Sequence, residues 1–137
     1  MTTKVKNSDI LSLFEAINML EMSKPNLPVK IFYANSKNRG KLQPLYKDIN
    51  DSRFKLLDQY GIKDSSNHIG YKLEEDGRTF SFKSDKDREK FSEELAPILE
   101  METDVTFFKI KIDEFEGLEF DRTNFPLIDV YLDWLVE

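Results

Sequence analysis

Apolar residues recur with a helical period over the first sixty positions and with a strand period further along. Ile10, Leu13, Phe14, Ile17 and Leu20 share one stripe, which predicts a helix beginning near Ser8 as N-cap, with Asp9 in the dipole-favoured first turn. Ser23-Lys24-Pro25-Asn26 ends it, because the residue before a proline is pushed out of the α region. A second helical pattern opens at Pro28 and carries Val29, Ile31, Phe32 and Tyr33. It resumes through Leu45, Tyr46, Ile49, Arg53, Leu56, Leu57 and Tyr60, and Gly61 reads as its C′ cap. Gly40 and Pro44 interrupt this run. Pro44 has no N–H and its ring meets the carbonyl four residues back, so a kink or a restart is expected there. Residues 8–60 therefore read as a helical hairpin or a three-helix run.

The period then changes. Ile69, Tyr71 and Leu73 alternate with small or polar residues, Asp76-Gly77 turns the chain, and Phe80 and Phe82 alternate again. This pattern is a hairpin signature. Ser84 caps a charged helix expected over 85–96, with Phe91, Leu95 and Leu99 as its buried stripe and Pro97 ending it or bending its last turn. Thr106, Phe108, Ile110 and Ile112 alternate with Phe107, Lys109 and Lys111. That run predicts a strand over 104–113 which completes a three-stranded sheet with the hairpin. Thr123 or Asn124 is expected to cap a last helix over 124–136. GIKDSSNH, residues 61–68, reads as the loosest loop. The fold class expected is α+β, a single domain over 1–137, with a helical part at 8–60 and a hairpin-helix-strand-helix part at 68–136.

Composition narrows the function classes. The 137 residues are 39% apolar and 12% aromatic, which supports a packed core rather than disorder. With no cysteine there is no disulfide scaffold, thiolate metal site or cysteine nucleophile, and with one histidine, His68, no histidine cluster. Asp9 and Glu15 break the N-terminal apolar run, so no signal peptide is expected, and no stretch has the apolar length of a membrane span. The net charge of −6 is unevenly spread. Residues 1–63 hold 11 Lys+Arg against 6 Asp+Glu, and residues 64–137 hold 9 against 20. Such polarity fits head-to-tail association, a split between two partners, or two lobes that neutralise each other.

Four constellations carry candidate chemistry. Lys24, Lys30, Lys37, Arg39 and Lys41 form an acid-free window with Phe32 and Tyr33 interleaved, and Lys30, Lys37 and Lys41 recur near one helical face. Either they are a solvated face or they contact phosphates, with log affinity falling about 0.9 per contact per decade of salt. Eight acids between Asp113 and Glu137, against Arg122 alone, are either an ordinary acidic surface or an imitation of a phosphate ladder. The carboxylate pairs Glu74/Glu75, Glu93/Glu94 and Asp113/Glu114 are adjacent in sequence and flanked by charge, unlike the desolvated, opposed carboxylates of a hydrolase. No catalytic residue, cofactor or metal ligand is assigned, and His68 reads as a turn or edge residue. The last helix is apolar on most sides. Val130, Tyr131, Trp134 and Leu135 are its candidate interface, the alternative being burial within the same chain.

The run Leu27-Pro28-Val29-Lys30-Ile31-Phe32-Tyr33-Ala34-Asn35-Ser36-Lys37-Asn38 resembles the start of an uncharacterised family of small tailed-phage and prophage proteins. Lys41-Leu42-Gln43-Pro44-Leu45, Leu56-Leu57-Asp58-Gln59-Tyr60-Gly61 and Glu116-Gly117-Leu118-Glu119-Phe120 extend the resemblance over most of the chain, as a loose pattern that departs by inserting Gly40. It implies a viral origin and no activity whose residues carry over. The expectation is a non-catalytic, phage-type accessory protein in the cytoplasm of a bacterial host cell or in the virion. Its partner is itself, as a homo-oligomer, or a host or virion protein, with no membrane contact. The alternatives are an acidic inhibitor of a host defence or nucleic-acid-acting protein and, more weakly, a direct nucleic-acid binder through residues 24–41.

Overall fold

Thr2-Thr3-Lys4-Val5-Lys6 alternates too briefly to stand out in the sequence, yet it is a strand. In the computed structural model, which describes residues 2–137, β1 (Thr2–Lys6) pairs antiparallel with β2 (Glu102–Thr106), setting Thr2 opposite Thr106 and Lys6 opposite Glu102. The helices are α1 (Asn7–Ser23), α2 (Val29–Tyr60), α3 (Asp85–Glu100) and α4 (Ile128–Leu135). The class is α+β, and its sheet among the described residues is two-stranded rather than three-stranded. The chain divides into two compact units, Met1–Tyr46 with Glu102–Glu137 (unit 1) and Lys47–Met101 (unit 2).

In unit 1, α1 starts directly from β1. Extended Lys6 is its N-cap, without a side-chain capping bond, so Ser8 lies inside the helix instead of capping it. The expected stripe is buried, with Ala16 added to Ile10, Leu13, Ile17 and Leu20. Across from it, α2 buries Ile31, Ala34, Asn35, Asn38 and Leu42, and Phe14 stacks on Tyr46 with ring centroids 4.2 Å apart. Gly40 and Pro44 do not break α2, which is one continuous helix. The carbonyl that Pro44 leaves without an N–H donor belongs to Gly40, an exposed residue with open space around it.

The strand expected over 104–113 is shorter and turned over. Val105 and Phe107 are buried, while Phe108 and Ile112 are exposed. The side-chain amide of buried Asn38 explains the shift. Its Nδ2 donates to the Phe108 carbonyl (2.9 Å) and its Oδ1 accepts from the Phe108 N–H (2.8 Å), standing in for a neighbouring strand. Alternation is interrupted there, and Ile110 returns to the interior by pairing in parallel with Val136. The last helix begins at Ile128 rather than 124. Residues 121–125 instead turn around Asp121, whose side chain accepts from Thr123 N–H (2.9 Å) and whose carbonyl accepts from Phe125 N–H (2.7 Å).

In unit 2, Leu57, Tyr60 and Phe91 form a small buried cluster, overlaid by partly exposed Phe54, Leu56, Tyr71, Phe80, Phe82 and Leu95. Ser84 caps α3 as expected, its Oγ accepting from Asp87 N–H at 3.2 Å, but the helix continues past Pro97 to Glu100. The 69–82 hairpin is reduced to an isolated antiparallel bridge, Leu73 with Phe80, and 61–63 lies alongside through bridges from Gly61 to Phe82 and Lys63 to Tyr71. Gly77 takes a φ of 71°, the left-handed conformation that follows a tight turn.

The 61–68 segment is therefore not a loose loop. Asp64 accepts from Ser66 N–H (2.9 Å), and Asn67 accepts from Ile69 and Gly70 N–H (3.0 and 2.8 Å) while donating to the Tyr71 carbonyl (2.8 Å). Gly61 does end α2, and the reason is close approach. A Cβ there would stand 2.8 Å from the Leu57 carbonyl oxygen, which already accepts the Gly61 N–H.

Candidate interaction site

The residues of the basic window have partners on two sides of α2. Lys30 Nζ donates to Glu114 Oε1 at 3.3 Å, and Lys37 lies 5.5 Å over the Tyr33 ring. Arg39 turns towards α1, where its Nε donates to Asn18 Oδ1 (3.1 Å) and its guanidinium pairs with Glu21. Lys41 Nζ donates to the Thr106 carbonyl.

The candidate interface on the last helix is likewise divided. Tyr131 and Leu135 are fully buried in unit 1, the alternative the sequence left open for this helix, whereas Val130 and Trp134 are half-buried. Trp134 packs edge-on to Phe107 with centroids 6.2 Å apart. Tyr131 Oη donates to Asn35 Oδ1 at 2.5 Å. Burial pushes its phenol well above the usual tyrosine range, and nearby Glu21 adds to the effect against the opposing bond to Asn35. His68 is exposed, as expected of a turn residue.

Val29 is 83% exposed, Tyr33 51% and Phe108 44%, with Tyr33 and Phe108 meeting edge to face at 5.6 Å. Together with Ala34 and Ile110 they line a cleft of about 490 Å³. Lys30, Lys109 and Lys111 rim it, and Glu114, on the 3₁₀ turn Ile112–Phe115, is its one acid. Phe32 (54%) and Ile112 (57%) are exposed as well.

Val29 and Tyr33 are four residues apart and off the Ile31–Ala34–Asn38–Leu42 stripe, a spacing readable in the sequence. Phe108 had no such signal, because its exposure depends on Asn38 from a distant helix. The cleft offers apolar area, ring faces and ammonium groups, with no paired nucleophile and base. Among the described residues, no group of three or more His, Asp or Glu is placed to hold a metal ion, and no helix is long and apolar enough to cross a membrane. The chain matches no family model, no curated protein and no solved structure.

Proposed function

We propose that this chain is a non-catalytic accessory protein, of the phage-type kind its sequence resembles, that acts by binding another protein through the Val29–Tyr33–Phe108 cleft. The observation that supports this reading is the uncovered aromatic and aliphatic area gathered in one cleft, Val29, Tyr33 and Phe108. The occupant is an acidic segment with apolar anchors from a different protein. Lys30, Lys109 and Lys111 rim the cleft against Glu114 alone, and the Lys30–Glu114 pair is exposed and readily exchanged, so the rim attracts carboxylates. A second copy is disfavoured as the occupant because each copy carries a net −6.

Selection of displayed peptides on the immobilised chain tests this. Acidic sequences with aromatic or aliphatic anchors are expected, and a Val29→Ser/Phe108→Ser variant of unchanged circular dichroism should bind them about tenfold or more weakly. Peptides that bind the variant equally well would overturn the reading. So would a full-length dimer in sedimentation that the variant abolishes, since the occupant would then be the chain itself.

A further inference from the structure

Unit 2 holds a second cleft, of about 380 Å³, whose charge runs against its surroundings. Residues 47–101 contain 10 Lys+Arg and 13 Asp+Glu, yet no carboxylate lines the cleft. Its cations are Arg53, Arg78 and Arg88, all three arginines of the unit, while none of the unit's seven lysines takes part. Arginine differs from lysine in presenting a flat fork of donors that matches two oxygens of one phosphate or carboxylate. Three forks around one aromatic-floored cleft make a site for a multivalent oxyanion.

The Arg53 and Arg88 side chains are held by neighbours, and Arg78 is fixed through its backbone. Arg53 Nη2 donates to Asn50 Oδ1 at 2.6 Å, but its Nε is buried with no partner, a donor lacking its acceptor. Arg78 lies in the turn that Asp76 builds, where its N–H donates to Asp76 Oδ1 at 2.8 Å. Arg88 lies 5.7 Å over the Phe82 ring, and its ion pairs to Asp85 (3.2 Å) and Glu74 (3.6 Å) are solvent-exposed and easily exchanged. The floor is Phe82 against Phe91, with centroids 5.1 Å apart.

We infer that this cleft binds a small phosphate monoester carrying an aromatic ring, its phosphate among the three guanidiniums and its ring against Phe82 and Phe91. The volume falls in the range of small-molecule sites. The site is independent of the Val29–Tyr33–Phe108 cleft and stands or falls without it.

Calorimetric titration of the full chain with inorganic phosphate, phenyl phosphate and adenosine monophosphate tests it. The two esters are expected to bind about tenfold or more tightly than inorganic phosphate, through the ring contact. Arg78→Gln, an exposed change, should weaken them about tenfold, and Arg53→Lys should do the same by keeping charge while losing the fork. Equal affinity for the two esters assigns the site to aryl phosphates in general, and tighter binding of adenosine monophosphate assigns it to nucleotides. Inorganic phosphate binding as tightly as the esters would overturn the inference. Ester affinity unchanged in Arg78→Gln, or no ester binding at millimolar concentration, would overturn it as well.

Discussion

The two units are built on opposite principles. Unit 1 closes a long loop of chain, since its first strand pairs with residues a hundred positions away and its last helix packs on the first. It fills the enclosed space with fully buried side chains such as Leu13, Ile17, Phe125, Tyr131 and Leu135. Unit 2 buries little, and its aromatic rings remain partly wet. Side chains that bond their own neighbouring backbone, Asp64, Asn67 and Asp76, do much of the ordering there. Stability in unit 1 should therefore depend on apolar volume, and in unit 2 on local polar contacts. The two candidate sites follow the same division, an apolar cleft with a charged rim in one unit and a charged cleft with an apolar floor in the other.

Truncation after Asp129 should separate the units most sharply. It removes Tyr131 and Leu135, together worth roughly 3–6 kcal/mol when buried, a large part of the ~5–15 kcal/mol that holds a typical domain. It also removes the bonds that the Leu135 and Glu137 carbonyls accept from Ile110 and Ile112 N–H (2.8 and 2.9 Å). Hydrogen exchange is expected to show loss of protection in residues 8–20 and 103–112 while amides of 54–60 and 88–95 keep theirs. Uniform loss along the whole chain would show that the division into two units has no energetic meaning.

How far the sequence foretold this architecture also differs between the units. Periodicity located α1, both ends of α2 and the Ser84 cap, because each depends on contacts within a few residues. It missed β1 entirely, since five alternating residues have no meaning until Glu102–Thr106 supplies the partner edge. It expected Phe108 inside along with Ile110, and the exposure of Phe108 goes with its pairing to Asn38, seventy positions earlier. Pro44 misled for a related reason. A proline costs a helix a hydrogen bond without having to end it, and here the carbonyl it frees belongs to exposed Gly40. The basic residues 24–41 were visible, but the partners that disperse them, Glu21, Glu114 and the Thr106 carbonyl, belong to other elements.

A matched pair of hydroxyl deletions gives a smaller and more specific contrast. Tyr131→Phe leaves Asn35 Oδ1 buried without a donor, beside an Asn35 Nδ2 that already lacks a partner. Denaturant unfolding should show a loss of about 1–3 kcal/mol, the cost of an unsatisfied buried group. Tyr71→Phe removes an exposed bond to the Asp58 carboxylate and should change stability by no more than about 0.5 kcal/mol. Equal losses would mean that unit 2 excludes water as well as unit 1 does.

The smallest effect expected is a difference in pH response, with the units failing at opposite ends of the scale. In unit 2, Asp76 accepts from Thr79 Oγ1 (2.6 Å), Thr79 N–H and Arg78 N–H, bonds that hold its carboxyl at about 2, and the Ser66 bonds likewise lower Asp64. A folded-state value below the unfolded one, about 3.9 for aspartate, stabilises fully above that unfolded value. The contribution disappears as pH falls from about 4 through about 2, when protonation releases the turn. In unit 1, buried Tyr131 is raised above the unfolded value of about 10, so its contribution is complete below that pH and fades as pH climbs beyond it. Tyr60 and Tyr71 are raised as well, by hydrogen bonds to Glu94 and Asp58, but these depend on accessible carboxylates that salt screens. Acid titration should therefore loosen amides of 61–82 before those of α1, and Asp76→Asn should remove most of that acid-specific step. Alkaline titration in high salt should shift Trp134 fluorescence to the red before the 54–60 amides exchange. The reverse order at either end would show that the local bonds of one unit and the burial of the other do not control how each opens.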